Sequence, residues 1–142
     1  MQGALKLAQA RLSVATLDQL GAAALYGVDP GYFDATRNEY RRRRDTCYRK
    51  LLEIPGIVTT EPQGAFYTMA KLPVDSTERF QLYLLQEFED HGETVMFAPG
   101  SGFYATPGAG TSEIRIAYVR CVEELERSLT LLRLAIERYN QK

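Results

Sequence analysis

The sequence predicts an α+β domain in which a small, mostly antiparallel sheet packs against several helices. Two long segments, which begin near Pro30 and Val122, carry apolar residues at every third or fourth position, as in helices that bury one face. Two runs rich in β-formers, Ile57–Thr60 and Ala65–Met69, flank Glu61–Gly64 and predict a hairpin with a four-residue loop. Long helices beside a hairpin sheet favour an α+β fold over a doubly wound parallel sheet.

The composition is that of an ordinary soluble domain. Of the 142 residues, 45% are hydrophobic and 25% are charged, and the net charge is −1. A charge so near zero gives no overall field that favours nucleic acid or an acidic membrane surface. No apolar run approaches the ~20 residues that span a bilayer, and Met1 is not followed by a charged-then-apolar leader. Cys47 and Cys121 are too few and too far apart for a disulfide framework or a zinc site. The sequence therefore predicts a cytoplasmic protein with reduced thiols.

Two short helices are expected at the start of the chain. Apolar residues from Leu5 to Leu12 fall on one helical face. No capping residue precedes them, which indicates a helix already under way where the sequence begins. Thr16 and Gln19 have the spacing of a capping box and predict a second helix, which ends at Gly27.

The longest helix is expected from Pro30 to about Leu52. Asp29 provides an acidic cap before a proline at the first helical position, and Pro55-Gly56 stops the segment. Its predicted inward stripe comprises Phe33, Tyr40, Cys47 and Leu51. The run Arg41–Arg44 sweeps more than one helical turn and so cannot form one flat basic face. It predicts a solvated helix surface, with a nucleic-acid-binding patch as the alternative.

The middle of the chain predicts one more helix and one more strand. Asp75 or Ser76 caps the helix, which is expected to end at Gly92. Three of its residues are expected to face inward: Phe80, Leu84 and Phe88. His91, in its expected last turn, is interpreted as a surface residue rather than a catalyst. Thr94–Phe97 predicts the strand.

Arg115 is the main candidate for a functional residue. It lies in a strand, Ile114–Tyr118, whose residues alternate with a period of two. If the isoleucines face the core, Arg115 points the other way, beside the Gly- and Pro-rich loop Phe97–Tyr104. A guanidinium is a planar, permanently charged fork suited to a carboxylate or a phosphate. The alternative is a surface arginine that is solvated or paired with Glu113.

Three motifs follow one another along the chain: Gln63–Tyr67 (QGAFY), Phe97–Phe103 (FAPGSGF) and Glu113–Tyr118 (EIRIAY). In this order and spacing they resemble the C-terminal part of class I/II aminotransferases. These are fold-type I pyridoxal phosphate (PLP) enzymes of the aspartate aminotransferase kind. The likeness extends from about Leu5 to Tyr139.

The resemblance implies a domain assignment. Residues 1–142 would be the small C-terminal domain of such an enzyme, and residues 1–12 the tail of a truncated interdomain helix. The large N-terminal domain, which holds the cofactor in the family, would be absent from this chain. The parent enzyme is expected to be a homodimer that acts on an amino acid and a 2-oxo acid.

The resemblance also implies roles for particular residues. The arginine of the third motif binds the substrate α-carboxylate in the family, which assigns that role to Arg115. Gly100 and Phe103 would shape the loop beside it. The family lysine that binds PLP lies in a Ser-x-[Ser/Thr]-K signature, and no lysine here matches it: Lys6, Lys50, Lys71 and Lys142. We therefore expect no PLP, no metal and no transaminase activity on this chain alone.

Several alternatives stay open at this point. A lyase or a synthase on the same scaffold would share the carboxylate arginine. A free-standing interaction domain would instead expose an apolar patch along the first or the last helix. Phe66 and Tyr67 are expected to serve the sheet, and the alternative for either is a place in the lining of a substrate pocket.

Overall fold

The computed structural model describes residues 1–10 and 14–141, and the chain divides into two compact units, Met1–Thr36 and Arg37–Lys142. The first unit contains α1 (Gln2–Ala10), α2 (Thr16–Ala23) and a 3₁₀ turn (Ala24–Gly27). Helix α3 (Pro30–Leu52) begins in the first unit and continues in the second. The second unit also contains α4 (Thr77–Gln86), α5 (Val122–Tyr139), a second 3₁₀ turn (Gly100–Phe103) and all the strands.

The first unit differs in part from its prediction. Leu12, the expected end of the first helix, lies outside the described residues. The predicted capping box is wrong, because Thr16 is itself helical and Ala15 holds the extended cap position without a side-chain bond. The side-chain amide of Gln19 donates instead through Nε2 to the backbone carbonyl of Val14, at 2.7 Å. The predicted end at Gly27 is confirmed, through the 3₁₀ turn that follows α2.

Helix α3 has the predicted bounds. The Asp29 carboxylate accepts a hydrogen bond from the backbone N–H of Gly31 at 2.9 Å, and Gly56, at φ 79°, follows the end of the helix. Three residues of the predicted stripe pack inward as expected: Tyr40, Cys47 and Leu51. The prediction for Phe33 is wrong, since this residue of the first unit is 48% exposed.

The strands form one antiparallel sheet in the order β1-β2-β4-β3, which confirms the α+β fold class. The strands are β1 (Val58–Thr59), β2 (Tyr67–Lys71), β3 (Ala98–Pro99) and β4 (Glu113–Ala117). Because β4 pairs with both β2 and β3, its residues lie in the middle of the sheet. Arg115 therefore has a strand on each side.

The hairpin of β1 and β2 has a longer loop than predicted. Val58 pairs with Lys71, so the loop covers residues 60–66 rather than four residues. The reason is a contact from far along the chain. The hydroxyl of Tyr118 donates to the carbonyls of Gly64 and Ala65, at 3.1 and 3.2 Å, and so holds this part of the loop against β4.

The strand expected at Thr94–Phe97 is also displaced. Ladder pairing begins only at Ala98, one residue past the expected end of the strand, where Ala98 pairs with Arg115. Side chains hold the preceding residues in place instead. The Thr94 hydroxyl donates to the carbonyl of Leu84 at 2.8 Å, and Phe97 packs against the core.

One hydrophobic core lies on one face of the sheet. Ile114 and Tyr118 of the Arg115 strand are buried, whereas Arg115 and Ala117 are exposed, as the alternation predicted. The core joins these strand residues with buried residues of α3, α4 and α5. The predicted inward residues of α4 and of the segment after it are confirmed: Phe80, Leu84 and Phe88. The opposite face of the sheet, where Arg115 lies, is not covered by these helices.

Helix α4 begins as predicted and ends earlier. The Ser76 hydroxyl caps it by accepting from the N–H of Arg79. The helix ends at Gln86, and Gly92 instead belongs to a two-residue turn in which His91 and Gly92 both have positive φ. His91 is exposed at the tip of this turn, which confirms the prediction that it is a surface residue. The prediction that it lies in the last turn of a helix is wrong.

The remaining sequence expectations concern thiols, membranes and metals. Cys47 is buried and Cys121 exposed, both as free thiols, and burial raises the pKa of Cys47 to about 12. Within residues 1–10 and 14–141, no helix has the length and apolar character that crossing a bilayer requires. The same residues contain no cluster of three or more potential metal ligands.

Candidate carboxylate-binding site

Arg115 occupies the open face of the sheet. In the register of β4, it lies opposite Met69 of β2 on one side and Ala98 of β3 on the other. Its guanidinium packs over two aromatic rings, with Cζ 5.4 Å from the centroid of Tyr67 and 4.8 Å from that of Phe103. Arg115, Phe103 and Tyr67 thus come together on the exposed side of the domain. The sequence analysis left open whether Tyr67 only serves the sheet or also lines a pocket, and its ring contacts Arg115.

In the part of the chain that the structure describes, the guanidinium donors of Arg115 have no oxygen acceptor, whether carboxylate, carbonyl or amide. Other arginines of the second unit behave differently: Arg120 is paired with Glu124 at 2.8 Å, and Arg133 with Glu137 at 2.6 Å. An exposed guanidinium without an oxygen partner retains its charge and its N–H donors for an anionic ligand.

Arg115 is not paired with Glu113 in the structure, although the sequence left this pairing open as an alternative. The Glu113 carboxylate accepts a hydrogen bond from the hydroxyl of Tyr104 at 2.5 Å. This bond raises the pKa of Tyr104, and a smaller desolvation effect adds to it. The Glu113 carboxylate is therefore bonded to the loop that precedes its own strand, β4.

Gly100 allows that loop to lie directly on β4. It is buried, and a Cβ built on it would be 2.7 Å from both the Cβ and the carbonyl oxygen of Glu113. No side chain fits in that space without a shift of the backbone. The 3₁₀ turn that begins at Gly100 ends at Phe103, which reaches the guanidinium of Arg115. The structural need for glycine here is therefore separate from any contact with a ligand.

Replacement of Gly100 by alanine is expected to lower the free energy of unfolding by about 1–3 kcal/mol, because the added methyl overpacks the contact with Glu113. Gly102→Ala is the matched control, since a Cβ at Gly102 in the same turn has nothing within 4 Å. Urea unfolding of both variants measures the difference. Equal midpoints for the two variants would contradict the close approach of the turn to β4.

A cavity lies between strands β3 and β4 and helix α5. Its volume is about 300 Å³. Its lining residues include Arg115 and Arg120, and the rest are mainly apolar: Val95, Phe97, Ile116, Leu125, Leu129 and Leu132. Sequence periodicity did not indicate it, because the cavity depends on how a strand edge and a distant helix pack together.

In the basic run of α3, Arg41 and Arg42 are exposed and Arg43 and Arg44 are partly buried, and each of the four has a local acceptor. Arg42 and Arg43 both bond to Glu39, at 3.2 and 2.8 Å. Arg44 pairs with Asp45 at 2.7 Å, and Arg41 bonds to Asn38 at 3.4 Å. These contacts support the interpretation as a helix surface rather than a nucleic-acid-binding patch.

The chain thus combines an α+β fold with an arginine that has no oxygen partner among the described residues and lies on the open face of the sheet. A model of one family, described as aminotransferase class I and II, matches residues 2–130. The chain belongs to this family, and the resemblance seen in its three motifs is confirmed.

Individual relatives agree with this assignment. An aspartate aminotransferase of Bacillus subtilis (strain 168) is 30% identical over 132 residues, which cover 88% of this chain and 31% of the relative. The structure of an alanine aminotransferase from Pyrococcus furiosus matches with a TM-score of 0.72 and 32% identity, over 94% of this chain and 33% of that one. This chain therefore spans about a third of the length of these relatives.

A more distant structure is similar in fold. It is LysN, an α-aminoadipate aminotransferase of Thermus thermophilus, complexed with N-(5'-phosphopyridoxyl)-L-leucine. The match has a TM-score of 0.62 and 24% identity, over 74% of this chain and 26% of LysN.

Proposed function

We propose that this chain is the substrate-binding small domain of a PLP-dependent aminotransferase, in which Arg115 binds the substrate α-carboxylate. The observation that carries the proposal is the state of the Arg115 guanidinium, which is exposed in the central strand and has no oxygen partner among the described residues. Transamination moves an amino group from an amino acid to a 2-oxo acid. Because both molecules carry an α-carboxylate, one anchor serves both halves of the reaction.

The physical role of such an anchor is orientation. A guanidinium and a carboxylate form two parallel N–H···O bonds, which fix the plane of the carboxylate as well as its distance. Fixing the α-carboxylate restricts the position of the α-amino group to rotation about a single bond, and this reduces the entropy that the chemical step must still lose. Closure of a domain that carries the anchor would also exclude water from the site.

The cofactor is proposed to lie outside this chain. When bound, PLP would supply an electron sink for the reaction, and it would need a lysine side chain to hold it. None of the lysines here lies in the family signature; in the structure Lys50 is bonded to Glu53 at 2.9 Å, and Lys6 and Lys71 are exposed in α1 and β2. Lys142 lies outside the described residues. The proposal therefore assigns cofactor binding to a part of the protein outside this chain, which corresponds to the two thirds of the relatives that this chain does not cover.

We expect the purified chain to bind no PLP, because none of its lysines matches the family signature. The measurement is the visible absorption spectrum after incubation with PLP and removal of the excess, followed by borohydride reduction and mass analysis. The full-length protein, treated in the same way, is the positive control. A stoichiometric, borohydride-trapped adduct on one lysine of this chain would contradict the proposed division of roles.

The carboxylate role can be tested by removing the carboxylate from the substrate. The full-length protein and its Arg115→Ala variant are compared on an amino-acid donor and on the corresponding amine, which lacks the α-carboxylate. The variant is expected to lose activity toward the amino acid and to retain the activity of the parent toward the amine. Arg49→Ala, which removes a surface ion pair with Glu126, is the control. An equal loss on both substrates would overturn the carboxylate role.

The other expectations of the resemblance belong to the same proposal. They are a homodimeric parent, a cytoplasmic location and the assignment of residues 1–12 to an interdomain helix. A lyase or a synthase on this scaffold is the alternative chemistry, and product analysis of the full-length protein distinguishes it from a transaminase. A free-standing interaction domain is the alternative outside catalysis.

A further inference from the structure

The setting of the Arg115 guanidinium suggests more than an anchor. Long arginine side chains lose rotamer entropy when they are held in one geometry. Most arginines of this domain are held by acids, as Arg127 is by Asp90 and Glu93, at 3.0 and 2.6 Å. Arg115 is held differently, since the groups that the structure places against it are two aromatic rings.

We propose that Tyr67 and Phe103 are positioning residues for Arg115, which orient its guanidinium for a planar carboxylate without consuming its donors. This inference rests on the proposed carboxylate role of Arg115. A ring face attracts the cation through its quadrupole. An acidic partner would also restrain the side chain, but it would occupy N–H donors and neutralise the charge that a substrate needs. Aromatic restraint avoids both effects.

The two rings reach Arg115 from different parts of the chain. Tyr67 lies in β2, opposite Ala117, which is two residues from Arg115 on the same face of the sheet. A methyl group at Ala117 leaves room for the ring of Tyr67 to lie toward the guanidinium. Phe103 comes from the loop that Gly100 and Tyr104 attach to Glu113 in β4. Both rings are thus held in place relative to β4, the strand that carries Arg115.

Both rings also remain partly exposed, at 42% for Tyr67 and 50% for Phe103. Core packing therefore does not account for their positions. Such partly exposed rings can restrain a guanidinium and still leave it open to solvent. This is suited to a site that receives its ligand from outside the domain. This arrangement fits an anchor that is completed when the substrate arrives.

The test uses the full-length protein with the variants Tyr67→Leu and Phe103→Leu, which keep apolar bulk and remove the ring face. Each is expected to raise KM for the amino acid and to lower kcat/KM by about 2- to 30-fold, with little change in kcat. The variants Tyr67→Phe and Phe103→Tyr retain the ring and are expected to stay within about twofold of the parent. Tyr40→Leu is the matched control, because Tyr40 lies under Arg43, an arginine that is also held by Glu39.

A double-mutant cycle separates positioning from a general structural effect. In the Arg115→Gln background, Phe103→Leu is expected to have no further effect on kcat/KM. Equal losses with and without Arg115, or leucine variants as active as the parent, would overturn the positioning role. The proposed function fails separately, if Arg115→Ala and Arg115→Gln each lose less than about fivefold.

Discussion

Replacement of Arg115 by alanine in the full-length protein is expected to lower kcat/KM for amino-acid donors by about 30-fold to several-thousand-fold. This range follows from the cost of removing one partner of a largely desolvated charge pair, about 2–5 kcal/mol. Each ~1.4 kcal/mol corresponds to a factor of ten in rate. The effect is large because the substrate carboxylate would lose two hydrogen bonds and its counter-charge together. Steady-state kinetics on several donors measures it.

The Arg115→Lys variant distinguishes a fork from a point charge. An ammonium retains the charge but cannot offer two parallel donors, so only part of the activity should return. Cofactor content should be unchanged in both variants, since the proposal places PLP on the other part of the protein. A loss below about fivefold across all donors, with the fold intact, would falsify the anchor role. Arg115 would then be an ordinary strand residue.

Replacement of Phe80 by alanine is expected to lower the free energy of unfolding by about 3–5 kcal/mol. Phe80 has no exposed surface, and its ring lies 5.1, 5.9 and 6.2 Å from the rings of Tyr139, Phe97 and Tyr83. Removing it leaves a cavity among side chains from α4, α5 and the segment before β3. Against a typical total of about 5–15 kcal/mol for a domain, such a loss is a large fraction.

The matched control for Phe80 is Leu82, two residues away in α4 and 55% exposed. Leu82→Ala is expected to change stability by no more than about 0.5 kcal/mol. Urea midpoints of the two variants and the parent provide the comparison, with unchanged m-values as the check on two-state behaviour. Similar midpoints for Phe80→Ala and Leu82→Ala would contradict the packing of α4 on the core.

Local patterns in the sequence were sufficient for the parts of the fold that depend on near neighbours. The start of α3 at Pro30 and the cap of α4 at Ser76 depend on bonds within three residues. The alternation in β4 turned Arg115 away from Ile114, because the period of a strand is a property of its own backbone. The family could be recognised for the same reason, since its motifs are short and contiguous.

Contacts between distant residues decided what the sequence could not. The hairpin loop is longer than predicted because Tyr118, more than fifty residues away, binds its carbonyls. The hydroxyl of Tyr104 donates to Glu113, and the guanidinium of Arg115 lies against the rings of Tyr67 and Phe103. Such pairings depend on strand register and loop path, which are set by the packing of the whole domain. The sequence by itself determined which residue faces outward, and only the tertiary structure decided what surrounds it.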